Sequence, residues 1–320
     1  MVKEMDRTTR ILMGLNVRDS VGVEIGALDK PLVTRDMGKV LYVDHADTAT
    51  LRKKYQQDPG VRADDIVDVD GIWGNNTLLE AIDGRRVDYV LASHVIEHVP
   101  DLITWLNEVE SVLAPEGQIR LVIPDMRYTF DCLRRETVFS DVLPSHIARA
   151  RKPMPREVMD FICNVAEVKS DLLWHKPAKQ VISRKLYHFA DAARLGEAVM
   201  RGEYHDVHCW TFTPASFARL MNEIGAAGLS NLMCRSFTDT PIGGTEFYVS
   251  LAVDATVDAL PWAKIERTAR PNPAHGLLRS FLTRLHPRVL RPRITRFADR
   301  HCPSLVRRAR QTLRPNDRLQ

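Results

Sequence analysis

Residues 21–26 read Val-Gly-Val-Glu-Ile-Gly, and residues 40–44 read Val-Leu-Tyr-Val-Asp. Both are short apolar runs rich in β-branched residues, and each carries a carboxylate at its end, Glu24 and Asp44, with Gly26 just beyond the first. An open parallel sheet holds a nucleoside with these parts. The strand ends form a crevice, the glycine lets a ligand approach the backbone, and the second acid accepts hydrogen bonds from ribose hydroxyls. Glu24 and Asp44 stand 20 positions apart, close to the roughly 20 expected between a glycine turn and its ribose-binding acid.

Working outward, the same texture continues for about a hundred residues. Asp47–Gln57 reads as a helix with Asp47 as its N-cap. Ile66–Val69 reads as a third strand among Asp64, Asp65, Asp68 and Asp70, and Val87–Ala92 as a fourth. Leu102, Trp105, Leu106, Val109 and Leu113 recur at helical spacing, so 102–113 is an amphipathic helix, ended by Ala114-Pro115-Glu116-Gly117. Gln118–Ile123 is a fifth strand, stopped by Pro124. Strands alternating with helices imply a doubly wound, Rossmann-like α/β fold with a mostly parallel sheet. From Asp125 to Cys209 the chain turns rich in His, Arg and Pro, which predicts a mostly helical insertion. Thr213-Pro214 then caps another helix, and Leu229–Phe237 and Glu246–Val253 read as an antiparallel pair at the sheet edge, joined by Gly243-Gly244. The expected divisions are an N-terminal segment (1–16), a cofactor-binding core (17–124), the insertion (125–209), the completion of the core (210–255) and a tail (256–320).

Composition narrows the classes. Apolar content of 44% and charged content of 27% are those of a soluble globular chain. Cys132, Cys163, Cys209, Cys234 and Cys302 form no CxxC pair, which argues against a zinc ribbon or a disulfide framework and fits a reducing compartment. No apolar run approaches the roughly 18 residues that span a bilayer, and residues 1–16 lack the apolar stretch of a signal peptide, so a cytoplasmic protein is expected. The net charge of +4 divides unevenly: residues 264–320 carry +12 and the rest −8. Leu277, Leu278, Phe281, Leu282 and Leu285 share a helical face among Arg279, Arg284 and Arg288, a pattern suited to peripheral contact with an anionic membrane. The segment's few aromatics and the acidic body speak against specific nucleic-acid binding.

The ordered set of motifs resembles the class I S-adenosylmethionine (SAM)-dependent methyltransferases, in particular the type 11 group. Residues 23–26 (Val-Glu-Ile-Gly) look like the first motif and 42–44 (Tyr-Val-Asp) like the ribose-binding acid. Residues 88–99 (Asp-Tyr-Val-Leu-Ala-Ser-His-Val-Ile-Glu-His-Val) are similar to the fourth-strand motif, and 113–117 (Leu-Ala-Pro-Glu-Gly) to the turn before strand five. Residues 212–221 and 227–229 resemble the helix and turn before the last two strands. The first loop departs from the family's Glu-x-Gly-x-Gly-x-Gly: after Gly26 it reads Ala27-Leu28-Asp29-Lys30-Pro31, which implies a differently routed loop.

The resemblance implies SAM as cofactor. Glu24 would orient its amino group or order the loop, Gly26 would lie against it, Asp44 would hold the ribose, and Asp68, preferred over Asp65, would meet the adenine. Ser93 and His94 follow strand four at the edge facing cofactor and substrate, and His94 is the candidate general base because imidazole titrates near neutrality. Asp125 and Arg127 after strand five, and His208 and Trp210 at the end of the insertion, are candidate contacts to a small-molecule or saccharide acceptor. His94 to His98 also matches the H-x-x-E-H zinc pattern. His94 ends a strand, however, and Pro100 follows closely, so the two histidines do not share a helix and no metal is expected. A nicotinamide-dependent oxidoreductase, disfavoured by the missing GxGxxG, and a non-catalytic scaffold with an eroded glycine loop are the competing readings.

Overall fold

The computed structural model describes residues 5–253 and 259–271. The core elements are α1 (Arg7–Leu12), β1 (Val21–Ile25), β2 (Lys39–Asp44), α2 (Thr48–Tyr55), β3 (Gly71–Ile72), α3 (Leu78–Ala81), β4 (Val87–Ser93), α4 (Leu102–Ser111) and β5 (Leu113–Pro124). The insertion holds α5 (Phe139–Ile147), α6 (Pro155–Asn164), β6 (Ala166–Glu167), α7 (Ser170–Leu173), α8 (Ala178–Val181), β7 (Arg184–Lys185) and α9 (Phe189–Met200). The core resumes with α10 (Pro214–Ala226), β8 (Met233–Thr238), β9 (Glu246–Ala252) and α11 (Trp262–Thr268).

Seven strands form one sheet in the order β3-β2-β1-β4-β5-β9-β8. The pairs from β3 to β5 are parallel, and β9 runs antiparallel to both β5 and β8. The order reverses between β1 and β4, and at such a reversal an open sheet leaves a crevice beyond its strand ends. The sheet is buried on both faces, as parallel sheets are. One face carries Val23, Ile25, Val90 and Ala92 under Leu102, Trp105, Leu106 and Val109 of α4 and Phe217, Leu220 and Ile224 of α10. The other carries Tyr42, Tyr89, Leu91 and Val122 under Ile11 of α1 and Ala27, Leu32 and Val33. Gly22 makes room there: a Cβ would lie 1.9 Å from the Tyr89 ring.

Capping follows the sequence signals. Asp47 accepts from Thr50 N at 2.8 Å, Asp101 from Thr104 N at 2.9 Å, and Thr213 from Ser216 N with Pro214 in the first turn. Each such cap satisfies an N–H that the helix itself leaves orphaned.

Four boundaries differ from expectation. The third strand is Gly71–Ile72, because the backbone of 66–69 bonds elsewhere: Ile66 O accepts from Arg52, Val67 N donates to Leu28 O and Val69 N to the Thr48 hydroxyl. Strand β5 begins at Leu113, with residues 114–117 looped out between the Val87–Leu113 and Tyr89–Gln118 pairs and Glu116 at φ +64°. The helical insertion also contains the short β6–β7 ladder. The core does not end at 255. Leu260 N donates to Cys234 O, Ile265 is buried, and Arg270 N donates to Asp239, so the compact unit runs to Arg270. The amphipathic basic segment around residues 277–288 lies outside the described residues. Among the described residues no helix is long and apolar enough to cross a membrane.

Candidate active site

A cavity of about 1150 Å³ opens at the carboxyl ends of β1, β2 and β4. Ile25, Gly26, Asp44 and His94 line it from the strand ends, Thr104, Trp105 and Glu108 from α4, and His146, Arg149 and Lys152 from the insertion. Its volume exceeds the roughly 300–1,000 Å³ of a pocket for one drug-sized ligand, so two reactants have room.

On the β1–β2 side the loop 27–33 that follows Gly26 contains no further glycine. Gly26 takes φ +69° and donates its N–H to Val43 O at 2.9 Å; a Cβ there would meet Val95 at 3.1 Å. Glu24 is buried and accepts from Leu32 N at 2.7 Å and Val33 N at 3.0 Å. Its carboxylate fastens loop 27–33 and does not line the cavity. Burial pushes the Glu24 carboxyl up to about 7, against the two N–H bonds and the Arg7 charge that favour the anion. Asp44 lies at the end of β2 in the cavity wall. Its Oδ1 accepts from His45 N at 2.7 Å and pairs with His45 Nδ1 at 2.6 Å, and no hydrogen bond occupies Oδ2 among the described residues. Asp68 is not brought to the site. Its side chain is 88% exposed, 3.6 Å from Arg52, because the chain at 66–69 is not a strand and delivers no residue to the sheet's edge.

His94 reaches the cavity but its ring is committed. The residue takes φ +54°, in the left-handed region that costs a non-glycine residue backbone energy. Its Nε2 lies 2.7 Å from Glu246 Oε2, which is also bonded by Arg7 and Tyr248 through the carboxylate's two oxygens. Burial disfavours the His94 cation, but the Glu246 hydrogen bond and the Glu97 charge outweigh it and raise the pKa. A ring whose Nε2 is taken up by Glu246 is a poor acceptor for a substrate proton. Ser93 is outside the cavity, and its hydroxyl accepts from Arg7 Nη2 at 2.7 Å.

The four residues expected at an acceptor lie behind the wall. Asp125 and Arg127 form a buried ion pair, Nε to Oδ1 at 2.8 Å and Nη2 to Oδ2 at 2.5 Å; Thr240 also donates to Asp125, and Arg127 to Arg270 O. They anchor the start of the insertion to the segment before β9. Trp210 is fully buried with its indole N–H on Val99 O at 2.6 Å, and His208 is buried against Asp131 at 2.6 Å. None of the four touches the cavity.

Other residues occupy the acceptor side. His146 sits in the wall with Nδ1 3.2 Å from both Asp101 Oδ1 and the Thr104 hydroxyl. Arg149, Arg151 and Lys152 follow it, and Tyr204 and Asp206 also line the cavity. Asp101 was legible as a helix cap, but nothing in the sequence pairs it with His146, which is 45 positions away.

The doubly wound order with a reversed β9, and a crevice lined by Gly26 and Asp44 at the switch point, define an α/β protein with an open cavity at the carboxyl edge of its sheet. The family model for a methyltransferase domain matches residues 11–231, and the chain belongs to that family. Comparison with curated proteins finds no match. Among solved structures the chain is similar to the DhpI–SAH complex, at 14% identity over 77% of this chain and 81% of that one, with a TM-score of 0.34. It is also similar to the glycopeptide N-methyltransferase MtfA complexed with sinefungin, at 14% identity over 78% and 95%, with a TM-score of 0.37. A third, described as a Zn-dependent alcohol dehydrogenase from Rhodobacter sphaeroides, is 13% identical over 79% and 92%, with a TM-score of 0.39. These likenesses are remote; membership rests on the family model.

Proposed function

We propose that the chain transfers a methyl group from SAM to a small-molecule or saccharide acceptor. The observation that carries this reading is the shared cavity: Gly26 and Asp44 on its β1–β2 side, and a polar wall from the insertion opposite. The residues fit the cofactor. Gly26 offers close backbone approach, and Asp44 offers an unoccupied carboxylate oxygen to a ribose hydroxyl. SAM, when bound, supplies an activated methyl group on a cationic sulfur. The chain's own work is then to hold, orient and dry the two reactants.

The acceptor side suits a polar molecule of modest size. Asp101, Glu108 and Asp206 stand with Arg149, Arg151 and Lys152 around it, so both signs of charge are offered. For proton removal His146 replaces His94: it lines the cavity, and Asp101 holds its Nδ1, which leaves Nε2 to accept.

Calorimetric titration of the full chain with SAM, S-adenosylhomocysteine and NAD tests the reading. Binding of the two adenosyl sulfur compounds without NAD supports it. NAD alone would assign an oxidoreductase, and silence from all three would leave a scaffold.

A further inference from the structure

At the edge of the cavity, one cluster has a feature the proposed methyl transfer does not use. Glu97 is fully buried, yet among the described residues neither of its carboxylate oxygens has a hydrogen-bond partner. Among the described residues the one basic group within 4 Å is His94 Nδ1, 3.6 Å from Oε1. A buried carboxylate without donors is costly, and proteins compensate such groups by pairing them or by coordinating a metal. Two imidazoles stand beside it. One ligand atom each from Glu97, His98 and His208 lie within 4.8 Å of one another.

Each histidine is prepared in the same way. His98 Nδ1 lies 3.0 Å from Asp206 Oδ1, and Asp206 is itself held by Lys54 at 2.9 Å. His208 Nδ1 lies 2.6 Å from Asp131 Oδ2, and Asp131 is held by Arg134 at 2.9 Å. A carboxylate on Nδ1 fixes the tautomer and leaves Nε2 as the ligand atom, which is the usual outer support of a metal-bound histidine. The two rings meet edge to face, with centroids 4.7 Å apart.

We infer that Glu97, His98 and His208 form a binding site for a divalent first-row transition metal, zinc in the first instance. Two imidazoles and one carboxylate suit such an ion and leave a coordination position open. His98 and Asp206 line the cavity, so the site adjoins it. Bonds of about 2.0–2.1 Å place tetrahedral ligand atoms ~3.4 Å apart, so binding draws the three groups together from their present spacing. The H-x-x-E-H spacing was therefore half informative. His94 turns away to Glu246, while Glu97 and His98 take their third partner from 110 positions downstream of His98. The site stands on these residues whether or not the cavity transfers methyl groups.

The test uses the full chain, stripped with chelator and titrated separately with Zn2+, Co2+ and Mg2+. The expected result is one equivalent of Zn2+ or Co2+ bound in preference to Mg2+, with a visible Co2+ spectrum that shows no thiolate charge-transfer band and is lost on adding Zn2+. Asp131→Asn lowers the affinity by about 10–100-fold, and Glu97→Gln and His208→Gln lower it further in chains whose circular dichroism stays native. Failure of the wild-type chain to take up an equivalent overturns the inference. So does a thiolate band, which would put the metal on a cysteine, or unchanged affinity in folded Glu97→Gln and His208→Gln chains. If those variants do not fold, the stoichiometry and spectrum of the wild-type chain decide.

Discussion

Glu24 and Glu97 are both buried glutamates near the carboxyl edge of the same sheet, and they differ in what surrounds the carboxylate. Glu24 receives two backbone N–H groups from the loop it fastens, and Glu97 receives none. The first carboxylate is therefore part of the scaffold: it takes over the shaping of a loop from the glycines that 27–31 lack. The second is an acceptor without a donor among the described residues, beside two histidines that Asp206 and Asp131 already orient. Satisfaction of the oxygens, more than depth of burial, separates a structural acid from a ligand-binding one.

The comparison can be broken most decisively at the satisfied acids. Asp125→Ala leaves the buried Arg127 guanidinium without its main partner and is expected to destabilise the chain by about 3–5 kcal/mol, read by urea unfolding. A loss of turnover at unchanged stability would instead return Asp125 to the acceptor site. Glu24→Ala orphans Leu32 N and Val33 N and is expected to cost about 2–5 kcal/mol.

The pH dependence of Glu24 follows from its raised pKa. The folded chain holds this proton up to about 7, above the ordinary glutamate value of 4.5. The stabilisation it brings is complete below the unfolded value and is lost as pH rises through about 7, a change of about 3 kcal/mol. Unfolding at about pH 5 and about pH 8 should show that loss in the wild-type chain and little of it in Glu24→Gln. An unchanged slope in Glu24→Gln would assign the effect to another group.

Glu97→Leu sharpens the contrast by changing sign. In metal-free protein it is expected to stabilise by about 1–3 kcal/mol, since relief of a buried carboxyl that accepts no hydrogen bond outweighs the loss of its attraction for His94, which keeps its bond to Glu246. Marked destabilisation of the metal-free chain would contradict the distinction. The smallest effect belongs to Asp68→Ala, expected within about 0.5 kcal/mol of wild type in stability and without effect on cofactor affinity, because the side chain is exposed and away from the cavity.

Much of the core was legible because its signals are local. The apolar runs at 21–25 and 87–92, the caps Asp47 and Thr213, and the alternation of strand and helix each act within a few residues. The third strand was misplaced because 66–69 is apolar and extended without being paired, a matter decided by Leu28, Thr48 and Arg52 at a distance in sequence. Site residues beside a strand end, Gly26 and Asp44, reached the cavity for the same local reason. Residues whose position depends on the insertion did not: Trp210 and Arg127 turned inward, while His146 and Asp206 came to the wall. His94 is an intermediate case, since its place follows from β4 but its pairing depends on Glu246, 152 positions later.

His146 and His94 can be separated by turnover once an acceptor is found, with His146→Gln lowering kcat by about a hundredfold or more and leaving cofactor affinity intact. The account as a whole is tested most directly by calorimetric titration of S-adenosylhomocysteine into the wild-type chain and into Asp44→Ala. It predicts saturable binding to the wild-type chain and an affinity lower by about 10–100-fold in the variant, the worth of one charge-assisted hydrogen bond. No binding to the wild-type chain, or equal binding to both, would contradict it.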